Sequence, residues 1–354
     1  MGRIITRYFP GLIVLFCISC IRNVAVPIRN VTPKLVVEGL ITTDSMPYTV
    51  NLSYSGNFSN TYQFSDQPFI KDAMVTIKDD LGDSTKCAWV TEGTYQSTDT
   101  HFIGTVGRSY TLIVKLADEK TYVSKQEKLN PVPSIDSLTV VYDSSFVFEI
   151  RPTQFIISAN TQDQSGVENY YRWTASGYAP RRSTGRPCSL GSPALCYKNC
   201  QQLQIYNQLN ILSDRYIDGK HIQQSAAFSP VYWFGKHFVE VKQFSISRTA
   251  YQFWEHYQEQ TNRTGSILDP LPASLTGNVY NQADSNDIAL GLFSASAVVS
   301  KRIVILPFFL QEYLLRTVAG DYIKEGDCNF AFPNTIKDDN DPPGWENVQV
   351  IEMK

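Results

Sequence analysis

Apolar and polar residues alternate over short stretches along most of this chain, and the alternation predicts strands almost everywhere. YTVNLSY and MVTIKDD keep the two-residue period of a half-buried strand. KLVVEGLI, SYTLIVKL and KTYVSK are β-branched or aromatic runs bounded by Gly, Asn, Asp and Ser. Further along come SLTVVYDSSFVFEI, QFIISANT and NYYRWTAS, then the pair VYWFGKHFVEVKQFSISR broken near Gly235, and IALGLFSASAVVSKRIVIL as two strands around Ser294 to Ser296. One stretch has a helical period instead. In TAYQFWEHYQEQ, Ala250, Phe253, Trp254 and Tyr257 fall at i, i+3, i+4 and i+7, Thr249 and Gln252 form a capping box, and Gly265 marks the end. Such an aromatic stripe is a core face, so this helix is expected to pack across the second of two sheets.

The division into two sheets comes from LNPVPSIDS. Pro131 and Pro133 cannot donate backbone hydrogen bonds and hold their neighbours extended, which suits a stiff connector over residues 129–136. The chain is therefore expected to be mainly β. An immunoglobulin-like or transthyretin-like sandwich would span residues 34–128, and a larger β-sandwich or barrel-like domain with one amphipathic helix would span 137–354. Gly104 and Gly107 resemble a phosphate loop only in their closeness. The Gly-Lys-Ser/Thr ending is missing and a strand follows, so a hairpin turn is expected there.

The N-terminus breaks the pattern. Arg3 and Arg7 precede an uninterrupted apolar run from Gly11 to Ile18, closed by Ser19 and Cys20. That run is too short for a bilayer-crossing helix, which needs about 20 apolar residues. A basic region, a short apolar run and a small residue before the cut are the parts of a secretory signal, expected over residues 1–19 and followed by a tether over 20–33. Ser19-Cys20 resembles the lipobox of bacterial lipoproteins, with Cys17 and Ile18 as looser matches, and this makes Cys20 the candidate lipidation site. Several acyl chains, at about 0.8 kcal/mol per buried methylene, hold a soluble body on a membrane without any spanning segment.

Charge and cysteine usage narrow the chemistry. A net charge of -3 leaves no basic face for nucleic acid. Cys188, Cys196 and Cys200 crowd into RPCSLGSPALCYKNC, and with Cys328 they are candidate disulfide cysteines for an exported protein. Free thiols or a metal remain open alternatives, although Cys196 and Cys200 lack CxxC spacing and His221 is far away in sequence. There is no GxSxG, HExxH, P-loop or dinucleotide fingerprint. His256 with Glu259 is one ligand pair short of a metal site, and Asp338 to Gly344 is interrupted by Pro342 and Pro343, so a solvated turn is expected instead of a calcium loop. No catalytic residue, metal or cofactor is assigned, and the chain is not expected to be an enzyme.

Taken in order, the signal ending at Cys20, KLVVEGLITTDSMPYTVNLSYSGNF, KDAMVTIKDD, GRSYTLIVK, PVPSIDSL, SISRTAYQFWEHY and GLFSASAVVSKRIVI resemble the domain-of-unknown-function 4249 lipoproteins of Bacteroidota over nearly the whole mature chain. The resemblance implies an outer-membrane lipoprotein encoded near TonB-dependent transporters. It also supports disulfides in the regions of Cys188 to Cys200 and Cys328, and it supplies no catalytic residues. The run Ile21-Arg22-Asn23-Val24 lacks the acidic residues that accompany surface export in this phylum, so either face of the outer membrane fits. Asp44-Ser45-Met46, Asp83-Ser84-Thr85 and Asp136-Ser137-Leu138 resemble the phylum's O-glycosylation signal.

Two functional expectations of different class follow. One is a lipid-anchored binding or accessory subunit that docks on a TonB-dependent β-barrel transporter and assists nutrient capture. The other is a cell-surface glycan-binding protein or hydrolase with Tyr232, Trp233 and Phe234 as a sugar platform. In the bland alternative those aromatics merely alternate into a core.

Overall fold

The structure is a computed structural model that describes residues 32–55, 69–144, 153–183, 198–233, 235–262, 275–307, 324, 328–332, 335–336 and 341–353. It is mainly β. Strands β1 (Leu35–Thr42), β2 (Thr49–Tyr54), β3 (Met74–Asp79), β4 (Ser84–Thr91), β5 (Thr94–Ser97), β6 (Ser109–Lys115), β7 (Thr121–Ser124) and β8 (Glu127–Lys128) come before the proline-rich segment. After it lie β9 (Ser137–Asp143), β10 (Gln154–Gln162), β11 (Tyr170–Ser183), β12 (Lys198–Ser213), β13 (His221–Pro230), β14 (His237–Ser245) and helix α1 (Arg248–Thr261). The chain continues through β15 (Val279–Asn281), β16 (Leu290–Ser296), β17 (Val298–Pro307), the single-turn helix α2 (Cys328–Ala331), β18 (Thr335–Ile336) and β19 (Gln349–Met353).

Period-two alternation explains the first sheet. Leu35, Val37 and Ile41 of β1, and Tyr110, Leu112 and Val114 of β6, all point into one core. Each such side chain, fully buried, contributes about 1.5–3 kcal/mol. The sheet runs β15-β7-β6-β3-β4-β5-β2-β1-β16, with β8 on β6, and its two edges curl toward each other into a nearly closed barrel. Both edge strands come from far along the sequence. β16 lies parallel to β1 and β15 antiparallel to β7, so residues 279–296 belong to the first sheet and a single cut before residue 137 does not separate the two halves. On the free side of β16, the backbone groups of Phe293 are met by an amide. Asn278 donates from Nδ2 to the Phe293 carbonyl (2.7 Å) and accepts at Oδ1 from the Phe293 N–H (3.0 Å), in place of a neighbouring strand.

The second half is a sandwich. A three-stranded sheet, β13-β10-β9, faces a six-stranded one, β18-β12-β11-β14-β17-β19, and Phe155, Ile157, Trp173, Val241 and Ile303 fill the space between them. The proline-rich connector is strapped onto this body through its carbonyls. Ser245 Oγ donates to Asn130 O (2.5 Å), Gln243 Nε2 to Pro133 O (3.0 Å), Thr161 Oγ1 to Ser134 O (2.6 Å) and Lys301 Nζ to Ile135 O (3.2 Å). Prolines suit such a strap because they bring no N–H group that would also need a partner.

Several expectations change in detail. The helix is capped by Ser247, whose Oγ accepts from Ala250 N at 3.1 Å, and Thr249 already lies inside the first turn. It ends at Thr261 with Asn262 as its cap, and Gly265 lies outside the described residues. Its aromatic face packs between the two bodies: Ala250, Phe253 and Trp254 meet Leu40 and Leu292 of the first sheet as well as Tyr170, Ile211 and Phe244 of the second. Tyr257 is exposed. Gly104 and Gly107 lead into β6, yet β5 and β6 are not paired, so the turn joins separated strands and is not a hairpin. The break in IALGLFSASAVVSKRIVIL falls at Ala297, and its two strands enter different sheets.

Gln243 gives a test of the strap. It is fully buried, accepts from Trp173 Nε1 (2.9 Å) and donates to Pro133 O. Gln243→Leu leaves both partners unsatisfied, so we expect a loss of about 2–5 kcal/mol in urea unfolding at unchanged m-value.

Candidate functional site

Three clusters of polar side chains stand out among the described residues, and burial separates them. In the first, Ser229 Oγ lies 2.9 Å from His237 Nδ1 and 2.9 Å from Tyr206 Oη. The spacing suits a nucleophile and its base, but Ser229 and His237 are both 0% exposed, which leaves no approach for a substrate. Burial, aided by the Arg181 charge, pushes the His237 pKa down to about 3. The imidazole is thus a neutral tie between β13 and β14.

The second cluster is acidic. Carboxylate oxygens of Asp163, Asp214 and Asp218 lie within 4.8 Å of one another, close enough to share a cation. Each is already engaged in joining two loops. Asp163 accepts from Tyr171 Oη (2.5 Å) and Gly219 N (2.8 Å), Asp214 from Asn169 N (2.8 Å), and Asp218 from Gly166 N (2.8 Å). Desolvation, reinforced by the Asp163 charge, holds the Asp214 carboxyl above the usual carboxylate range.

The third cluster is open to solvent and lies where the two halves meet. Parallel pairing of β1 with β16 sets Glu38 beside Leu292 and Leu40 beside Ser294, and antiparallel pairing with β2 sets Glu38 opposite Asn51. These residues and Thr49 form the floor of a cleft of about 310 Å³. Gly291 permits this close approach of strands: its φ is +86°, and a Cβ there would stand 2.2 Å from the Val37 carbonyl. The roof is Phe253 and Trp254 of α1 with Arg172 of β11.

Arg172 owes its place to strand alternation. Tyr171 and Trp173 are buried in the sandwich core, so Tyr170 and Arg172 take the opposite face, where Phe244 and Ile211 are the cross-strand neighbours. Its guanidinium carbon lies 4.2 Å from the centroid of the Trp254 ring. Among the described residues no carboxylate pairs with it, and burial holds its pKa below the ordinary arginine value. By contrast, Arg248 pairs with Glu168 (2.8 Å), Arg302 with Glu240 (2.9 Å) and Lys242 with Asp44 (2.8 Å). The last pair joins the two halves. Being solvent-exposed it is worth about 0–1 kcal/mol, so it orients more than it holds.

Residues singled out from the sequence lie elsewhere. Trp233 is 6% exposed and points inward, and Tyr232 is covered by Arg181, whose guanidinium carbon lies 3.4 Å from the ring centroid. A buried indole offers no face to a sugar, so the platform reading loses its central residue. Phe234, Cys20, Cys188 and Cys196 are outside the described residues, as is the side chain of Cys200 in β12. Cys328 in α2 is disulfide-bonded to a partner beyond the described side chains. Cys87 is free and buried, and burial raises its thiol pKa to about 11, which makes it unreactive at neutral pH. His256 is exposed on α1. Asp341 in the acidic turn pairs with Lys236 (2.7 Å). Arg172 was missed, although a lone charge among the aromatics of NYYRWTAS was the available signal.

His237 generates a pH prediction. A base whose folded pKa is depressed leaves the unfolded chain binding more protons between the folded value, about 3, and the ordinary 6.5. Its neutral burial therefore contributes fully above pH 6.5 and is lost as pH falls toward 3. Acidification from pH 6.5 to 5 should cost about 1–2 kcal/mol through this group. Denaturant midpoints of wild type and His237→Phe across that range check it, and the variant should show the shallower pH slope.

No curated protein matches the chain. The domain of unknown function DUF4249 matches residues 21–302, a span that includes both faces of the cleft, the whole of β16 and the first part of β17 beyond the Ala297 crossover. The chain belongs to the DUF4249 family.

Proposed function

We propose that this protein is a lipid-anchored binding protein of the outer membrane, serving as an accessory subunit that assists nutrient capture by a TonB-dependent β-barrel transporter. The observation that carries the binding part is the cleft between the two halves, where a half-buried guanidinium without an acidic partner stands over a polar strand surface. Ligand pockets are commonly placed at such domain junctions. The anchor part rests on Cys20 behind its short apolar run, together with the resemblance that points to lipoproteins near such transporters. No helix among the described residues is long and apolar enough to cross a membrane. A connector fastened to the sandwich through its carbonyls suits a scaffold that presents a fixed cleft to a partner.

The test is a pull-down of the full-length tagged protein from detergent-solubilised outer membranes, with Cys20→Ala beside it. We expect a β-barrel transporter to accompany the wild-type protein, and the variant to leave the membrane fraction and lose that partner. A lone protein in mild detergent would remove the transporter reading.

A further inference from the structure

Arg172 is the half-buried cation of the cleft, and no carboxylate among the described residues pairs with it directly. A guanidinium has five N–H donors, and stacking on the Trp254 indole satisfies none of them. The side chain is half-buried and lines the cleft. Taking a cation partly out of water without a partner is unfavourable, and the free protein carries that cost in the cleft. A purely structural stack would keep its apolar packing with a neutral side chain of similar length and, giving up only the cation–π attraction, would avoid the cost.

We propose that the cleft binds a small organic monocarboxylate, held by the in-plane N–H edge of the Arg172 guanidinium while its apolar part packs on Phe253, Leu40 and Leu292. The inference deepens the reading of this chain as a binding protein and rests on it. With its guanidinium carbon 4.2 Å from the Trp254 ring centroid, Arg172 is held over the indole by a contact that uses none of its N–H donors, which leaves them for the two oxygens of a carboxylate. Glu38 on the floor sets the charge class. It balances Arg172 within one cleft, so a phosphate dianion would meet a carboxylate, whereas a monoanion carrying a hydroxyl or ammonium donor would meet an acceptor. Asn51, Thr49 and Ser294 provide further polar contacts beside it. The volume of about 310 Å³ suits a molecule of a few to a dozen heavy atoms and excludes a folded partner.

The experiment uses the full-length protein in mild detergent, with benzoate, benzylamine and inorganic phosphate as probes at equal ionic strength. Thermal unfolding and Trp fluorescence are read for wild type, Arg172→Met and Arg248→Gln. Benzoate should raise the wild-type midpoint and bind saturably, at least ten-fold more weakly to Arg172→Met and unchanged to Arg248→Gln, while benzylamine and phosphate should do neither. Without any ligand, Arg172→Met should unfold at the same temperature as wild type or higher, because a desolvated charge has been removed. Absence of a benzoate effect, equal binding to Arg172→Met, tighter binding of phosphate, or a clear loss of stability in ligand-free Arg172→Met would each overturn the proposal. The transporter pull-down is a separate readout and should not change with Arg172→Met. If a barrel co-purifies but benzoate does not bind, the ligand class falls and the accessory reading stands; if benzoate binds and the protein purifies alone, the reverse holds.

Discussion

One residue, Ala297, separates the last strand of the barrel from a central strand of the sandwich, and that crossover ties the two bodies together. Its polar groups are taken up from both sides. The Ala297 N–H donates to Ser245 Oγ (3.1 Å) and its carbonyl accepts from Ser245 N (3.1 Å), while the next N–H, that of Val298, donates to Thr43 Oγ1 (3.0 Å). A strand that changes sheets exposes backbone groups, each costing free energy if left bare, so the short polar side chains Ser245 and Thr43 are what make the crossing tolerable. Because β16 is locked to β1 and β17 to β14, the halves have little freedom to slide past each other.

The proline strap and α1 extend that constraint. The strap leaves the barrel and is fastened to the sandwich through its accepting carbonyls, and the helix fills the wedge between the halves with Ala250, Phe253 and Trp254. The cleft is what remains where the wedge is incomplete. Its floor belongs to the barrel and its roof to the helix and the sandwich, so it exists only because crossover, strap and helix hold one relative placement. This geometry also explains how Arg172 comes to be sheltered. Alternation along β11 assigns it to the face opposite the sandwich core, and on an isolated sandwich that face would be in water.

Much of the architecture is legible along the chain. KLVVEGLI, YTVNLSY, MVTIKDD, SYTLIVKL and QFIISANT are strands, and TAYQFWEHYQEQ lies in the one long helix among the described residues. β4 was not legible because its inward positions near the start are Thr85 and Cys87, which give no apolar rhythm. The helix start was misplaced because Thr249 with Gln252 imitates a capping box, whereas the β conformation of Ser247 (φ -71°, ψ 161°) and its bond to Ala250 N decide the true cap. Trp233 was legible as an aromatic but not as a buried one, since alternation alone does not say which side of a segment the fold covers.

The sequence by itself determined the β class, the helix, the connector and membership of a family recognisable by the order of its segments. These follow from local periodicity and from residue types whose backbone preferences act at short range. Tertiary structure alone decided that residues 279–296 return to the first sheet, that Asn278 stands in for a missing strand, and that Arg172 meets Trp254 above Glu38. Each of those depends on pairing between strands far apart in the chain, where the register is fixed by packing against both bodies at once and leaves no periodic trace in either segment.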